Sequence, residues 1–68
     1  MSMQIYVNGA PRTLPETAGL MALLLEMGLV GKRIAVEINH EIVPRAQHSD
    51  RVLRDGDRIE IVQAIGGG

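Results

Sequence analysis

The chain ends in Ile65-Gly66-Gly67-Gly68, and its foremost candidate for chemistry is the last α-carboxylate. Glycine has no Cβ, so such an end is thin when extended and fits a channel too narrow for side chains. Four extended residues reach roughly 13 Å. The Gly68 carboxylate has a reference pKa of about 3.3–3.7, so it is ionised at neutral pH and resists nucleophiles. It becomes an electrophile only after another enzyme activates it, for example as an acyl-adenylate. Read alone, this tail is also what a frayed terminus or an appended segment looks like. The other candidates are weaker. His40 and His48 stand eight positions apart with no Cys beside them, so both read as surface histidines and no metal site is expected. Asp55-Gly56-Asp57 lacks the alternating ligands of a calcium loop and reads as a tight turn. Met21, Leu23, Leu25 and Met27 read as packing rather than as a cofactor box. No Gly-rich stretch opens a helix with a following Lys, so a phosphate loop is absent.

Composition narrows the classes. Sixty-eight residues make one domain. A core this small supplies about 3–5 kcal/mol and leaves little room for an enclosed pocket of about 300 Å³. A carrier or binding module is expected, not an enzyme. Residues 1–65 are expected to form the domain and residues 66–68 a flexible glycine tail. With no Cys there is no disulfide framework and no thiol nucleophile. No signal peptide is visible at Met1–Val7, and the longest apolar run, Leu20–Leu25, is far short of a membrane span, so a cytoplasmic, membrane-free chain is expected. Seven basic and eight acidic side chains give a net charge of −1, and Tyr6 is the only aromatic residue, which argues against nucleic acid. Arg51, Arg54 and Arg58 are interleaved with Asp50, Asp55 and Asp57 and read as a solvated, mixed-sign surface.

The elements that must hold the tail follow from periodicity. Met3, Ile5 and Val7 alternate as in a half-buried strand. Asn8-Gly9 is a strong hairpin signal, and the return strand runs over about Ala10–Leu14, an edge because Pro11 cannot donate. A helix is expected over about Ala18–Met27, with Thr17 as N-cap, Leu20, Leu23, Leu24 and Met27 on its apolar stripe, and Gly28 as C′ residue. Ile34–Ile38 is a third strand, Asn39-His40-Glu41 a turn, and Ile42-Val43 a fourth strand stopped by Pro44. Arg45–Asp50 is expected as a polar surface loop, with Arg45 solvated there, and Val52 and Leu53 as a return to the core. Arg58–Ala64 is the last strand, with Ile59 and Ile61 inward. Val62, Ala64 and Ile65 face outward beside the tail and form a candidate docking patch. One amphipathic helix on one sheet, with first and last strands adjacent in the middle, makes an α+β, ubiquitin-like β-grasp: a mixed sheet packed on one main helix.

With a terminal Gly-Gly, this pattern resembles the ThiS family of thiamin-biosynthesis sulfur carriers. The carrying residues are Val7-Asn8-Gly9, Leu23-Leu24, Ala35-Val36-Glu37-Ile38-Asn39, Glu41-Ile42-Val43-Pro44-Arg45, Leu53 to Ile61 through Asp55-Gly56-Asp57, and Gly67-Gly68. The resemblance covers nearly the whole chain. Met1-Ser2 extends slightly past the family's usual start, which makes Met3 an alternative initiator. It implies that a ThiF-like adenylating enzyme uses ATP and Mg²⁺ on the Gly68 carboxylate while Gly66 and Gly67 thread into it. A persulfide donor of cysteine desulfurase or rhodanese type then supplies sulfur, and the Gly68 thiocarboxylate serves a ThiG-like thiazole synthase. No cofactor is implied for this chain. The molybdopterin-synthase small subunit is a related alternative, although it typically has prolines where Gln63-Ala64-Ile65 stands here. A protein modifier joined through Gly68 to a target lysine and a plain interaction module are further alternatives.

Overall fold

The computed structural model describes residues 1–64. The expected domain boundary at 65, and with it Ile65, Gly66, Gly67 and Gly68, lies outside the described residues. Strands β1 (Ser2–Val7), β2 (Ala10–Pro15), β3 (Ile34–Ile38), β4 (Glu41–Val43) and β5 (Arg58–Gln63) form one mixed sheet, with α1 (Leu20–Glu26) between β2 and β3. The order across the sheet is β2-β1-β5-β3-β4. β1 and β5 pair in parallel through Tyr6↔Arg58 and Val7↔Ile59, and the other neighbours are antiparallel. The first and last strands are therefore central, β2 with its Pro11 is an edge, and the ubiquitin-like β-grasp is the fold.

Alternation decides which face is buried. Met3, Ile5 and Val7 of β1, Val36 and Ile38 of β3, and Ile59 and Ile61 of β5 join Leu20, Leu23 and Leu24 of α1 in one aliphatic core. Met27 packs half-buried against it, while Ala22, Leu25 and Glu26 face out. The β1–β2 turn places Asn8 and Gly9 at φ 51° and 85°, as a two-residue hairpin requires. The helix closes with a Schellman pair: the Gly28 N–H donates to Leu25 O at 3.1 Å and the Leu29 N–H to Leu24 O at 2.8 Å.

The helix start differs from the expectation. Thr17 is not the N-cap, and α1 begins two residues later than Ala18, behind Gly19, with no side-chain cap. Gly19 is extended and bridges Val52, and the Leu20 N–H donates to Arg51 O at 2.9 Å. A Cβ on Gly19 would stand 3.0 Å from that carbonyl oxygen. A tertiary contact from residues 51–52 thus holds the backbone extended at Gly19, a residue that itself disfavours helix. The same bridge holds Val52 on the surface, 61% exposed, so only Leu53 returns to the core.

Candidate functional site

The described chain runs out of the sheet at the end of β5, and that exit is the part of the structure nearest in sequence to Gly68. Val62 faces outward, 65% exposed, opposite Ala35 of β3. Ala64 is also exposed, and its N–H donates to Arg33 O at 2.9 Å. Val62 and Ala64 form, with Ala35 and Ile34, the apolar floor of an open groove of about 340 Å³. Arg33 and Arg45 complete its lining. Arg45, expected as a solvated loop residue in preference to one that pairs with an acidic partner, is delivered there by the 3-10 turn Arg45–Gln47 that follows Pro44. Two of the three candidate docking residues read from the sequence, Val62 and Ala64, are therefore brought together, and Ile65 lies outside the described residues. Arg33, Ala35 and Arg45 were missed as partners of this patch. The signal for Ala35 was its outward parity on β3; for the two arginines it was only that Arg33 precedes β3 and Arg45 follows β4.

The histidines part company. His48 is buried, 7% exposed, with Nε2 at 3.2 Å from Val43 O, where it donates as the Nε2–H tautomer. The 3-10 turn folds its ring back under β4, which corrects the expectation of a surface histidine. His40 is exposed at the β3–β4 turn, where Asn39 and His40 both adopt positive φ, 52° and 69°. Its Nδ1 stands 4.0 Å from Glu60 Oε1, and donor atoms of Glu37, His40 and Glu60 lie within 4.8 Å of one another. Glu37 and Glu60 are direct cross-strand neighbours on the outer face, an arrangement of like charges that costs some stability. On the same face the Arg58 guanidinium sits 5.6 Å from the Tyr6 ring centroid.

The Asp55-Gly56-Asp57 turn is structural. Asp57 is buried, which removes it from the solvated surface expected of residues 50–58. Its Oδ2 accepts from the Arg54 N–H at 2.9 Å and its Oδ1 from Asn39 Nδ2 at 3.0 Å. Asp55 Oδ1 accepts from the Gln4 N–H at 2.8 Å. These carboxylate oxygens serve as backbone and amide acceptors, the role of Asx residues in a tight turn. Among the described residues no catalytic pairing of nucleophile and base is evident, and no helix is long and apolar enough to cross a membrane.

Known proteins align with nearly the whole of this chain. The family model described as the ThiS family matches residues 5–68, a span that includes the Gly67-Gly68 end. The chain belongs to the ThiS family. Among relatives, the sulfur carrier protein ThiS of Thermus thermophilus is 42% identical over 64 residues, 94% of this chain and 98% of that protein. The thiazole synthase of Paramagnetospirillum magneticum is 41% identical over 66 residues, which are 97% of this chain but 20% of that protein. This ThiS-family chain thus spans about a fifth of the length of the thiazole synthases it matches. The crystal structure of the thiamine biosynthesis protein ThiS from Geobacter metallireducens superposes with a TM-score of 0.80 at 30% identity, covering 97% of this chain and all of that one.

Proposed function

We propose that this chain is a sulfur carrier for thiazole formation in thiamin biosynthesis, itself without catalytic activity. The observation that carries the reading is ThiS-family membership over a span that ends in Gly67-Gly68. The chemistry starts with an adenylating partner, ThiF-like, that uses ATP and Mg²⁺ to convert the Gly68 carboxylate to an acyl-adenylate and releases pyrophosphate. Adenylation replaces a poor leaving group by AMP, so one difficult substitution becomes two easier ones. A persulfide sulfur, from a cysteine desulfurase or rhodanese-type donor, displaces AMP. Cleavage of the resulting S–S bond by a thiol leaves a Gly68 thiocarboxylate and a disulfide. The thiocarboxylate then delivers sulfur to thiazole synthase. The likeness to a segment of thiazole synthases supports that partner. The need for ATP favours a compartment that holds it, such as the cytoplasm.

Gly66 and Gly67 leave the path to the reacting carbonyl free of side chains. The groove of Ala35, Val62 and Ala64, with Arg33 and Arg45 beside it, suits a partner surface that is apolar at its centre and acidic at its rim. Incubation with ATP, the adenylating partner and a persulfide donor is expected to raise the intact mass by the difference between one sulfur and one oxygen. Thiazole synthase is expected to consume that product. An unchanged mass with a partner shown to be active would end the proposal.

A further inference from the structure

Asn8 does two jobs. In sequence it is the first residue of a hairpin turn, and its positive φ serves that turn. Its side chain also reaches a residue 53 positions away: Oδ1 accepts from the Ile61 N–H at 2.9 Å, and Nδ2 donates to Ile61 O at 3.2 Å. The carboxamide thereby stands in for a strand residue. Backbone pairing between β1 and β5 ends at Val7↔Ile59, followed by the Asn8 N–H donating to Ile59 O at 2.8 Å, and the chain then turns away into β2. The Ile61 N–H and C=O face the side that β1 has vacated, and the Asn8 side chain supplies the missing rung. On the opposite side β3 continues along β5 through Ile34↔Gln63 and the bond from the Ala64 N–H to Arg33 O. The last described residues of the chain are therefore held from β3 on one flank and from the Asn8 carboxamide on the other.

We infer that Asn8 is a positioning residue for the chemistry at Gly68. Its carboxamide sets the direction in which the chain leaves the sheet, so the adenylating partner meets an exit strand already ordered. This rests on the reading of Gly68 as the adenylated group. Order present before binding is not lost on binding, so the clamp strengthens capture of the carrier. It acts equally on the bound ground state and the transition state, so it changes KM and leaves kcat alone.

The variant Asn8→Gly removes the carboxamide and keeps the turn, because glycine adopts the required positive φ without steric strain. Two net hydrogen bonds to a partly buried backbone are involved, so amide exchange at Ile61 is expected to speed up by about tenfold relative to Ile5. In ATP–pyrophosphate exchange with the adenylating partner, KM for the carrier is expected to rise by about tenfold with kcat changed by less than about twofold. Ile38→Val, a core change on β3 opposite Ile59 and so far from the exit of β5, serves as the control: it lowers global stability and is expected to leave KM unaltered. An unchanged KM in Asn8→Gly overturns the inference, and so does an equal rise in Ile38→Val. Failure of the unaltered chain to be adenylated has a different signature: it removes the functional reading and this inference with it. Unchanged Ile61 exchange in Asn8→Gly, measured on the carrier alone, removes only the clamp.

Discussion

Replacing Asp57 by Ala tests how the turn before β5 is held. The buried carboxylate accepts from the Arg54 N–H at 2.9 Å and from Asn39 Nδ2 at 3.0 Å. Asn39 in turn accepts from the Arg58 N–H through Oδ1 at 3.0 Å and donates its own N–H to Arg58 O at 2.8 Å. The pair therefore ties the β3–β4 turn to the first residue of β5. Hydrogen bonds to a charged acceptor contribute about 1.5–3 kcal/mol each, and both donors here are only partly buried, so the low end applies and Asp57→Ala is expected to cost about 3 kcal/mol. A domain of this size has about 3–5 kcal/mol in total, so the variant is expected to be barely folded at 25 °C. In urea, with a slope of about 1 kcal/mol/M for a chain this small, the midpoint is expected to fall by about 3 M at unchanged slope. Asp57→Asn keeps one acceptor oxygen and loses the charge, for an expected loss of about 1.5 kcal/mol. A double-mutant cycle with Asn39→Ala is expected to return a coupling of about 1 kcal/mol. A loss below about 1 kcal/mol in Asp57→Ala, or no coupling to Asn39, would refute the assignment of the turn's stability to this carboxylate.

Gly19→Ala is expected to destabilise by about 1 kcal/mol, because the new Cβ meets a backbone carbonyl already engaged by Leu20, and this outweighs the gain from a stiffer unfolded chain; a raised thermal midpoint would contradict it. Val62→Asp places a charge on an exposed apolar position and is expected to change stability by less than about 0.5 kcal/mol. The same variant is expected to raise KM for the adenylating partner, and an unaltered KM would remove Val62 from the docking surface. Gly67→Ala is expected to leave the denaturation curve in place and to slow adenylation. Equal rates for variant and parent would show that the tail does not thread a narrow channel.

Much of this architecture was legible in the sequence because the signals are local. A period of two in Met3-Ile5-Val7 and Ile34–Ile38, an Asn-Gly turn and a leucine stripe closed by Gly28 each depend on residues within a few positions of one another. The outward parity of Val62 and Ala64 follows from the same alternation. The candidate reactive group was legible too, since a terminal carboxylate behind glycines needs no fold to be noticed. The bounds of the helix were not, because Gly19 answers to Val52 and Arg51 rather than to its neighbours. His48 looked like a surface residue among polar neighbours, and only the 3-10 turn after Pro44 carries its ring inside.

The chain's own order of residues thus determined the strands and the main helix, the faces they bury and the candidate reactive end. Tertiary structure alone decided that Arg45 joins Arg33 along the exit groove, that Asp57 is an internal acceptor, and that the Asn8 carboxamide replaces a rung of β5. Each of these depends on pairing between segments far apart in sequence, brought together by burial of a shared aliphatic face. Periodicity reports which face is buried but carries no record of which distant polar group lies beside it.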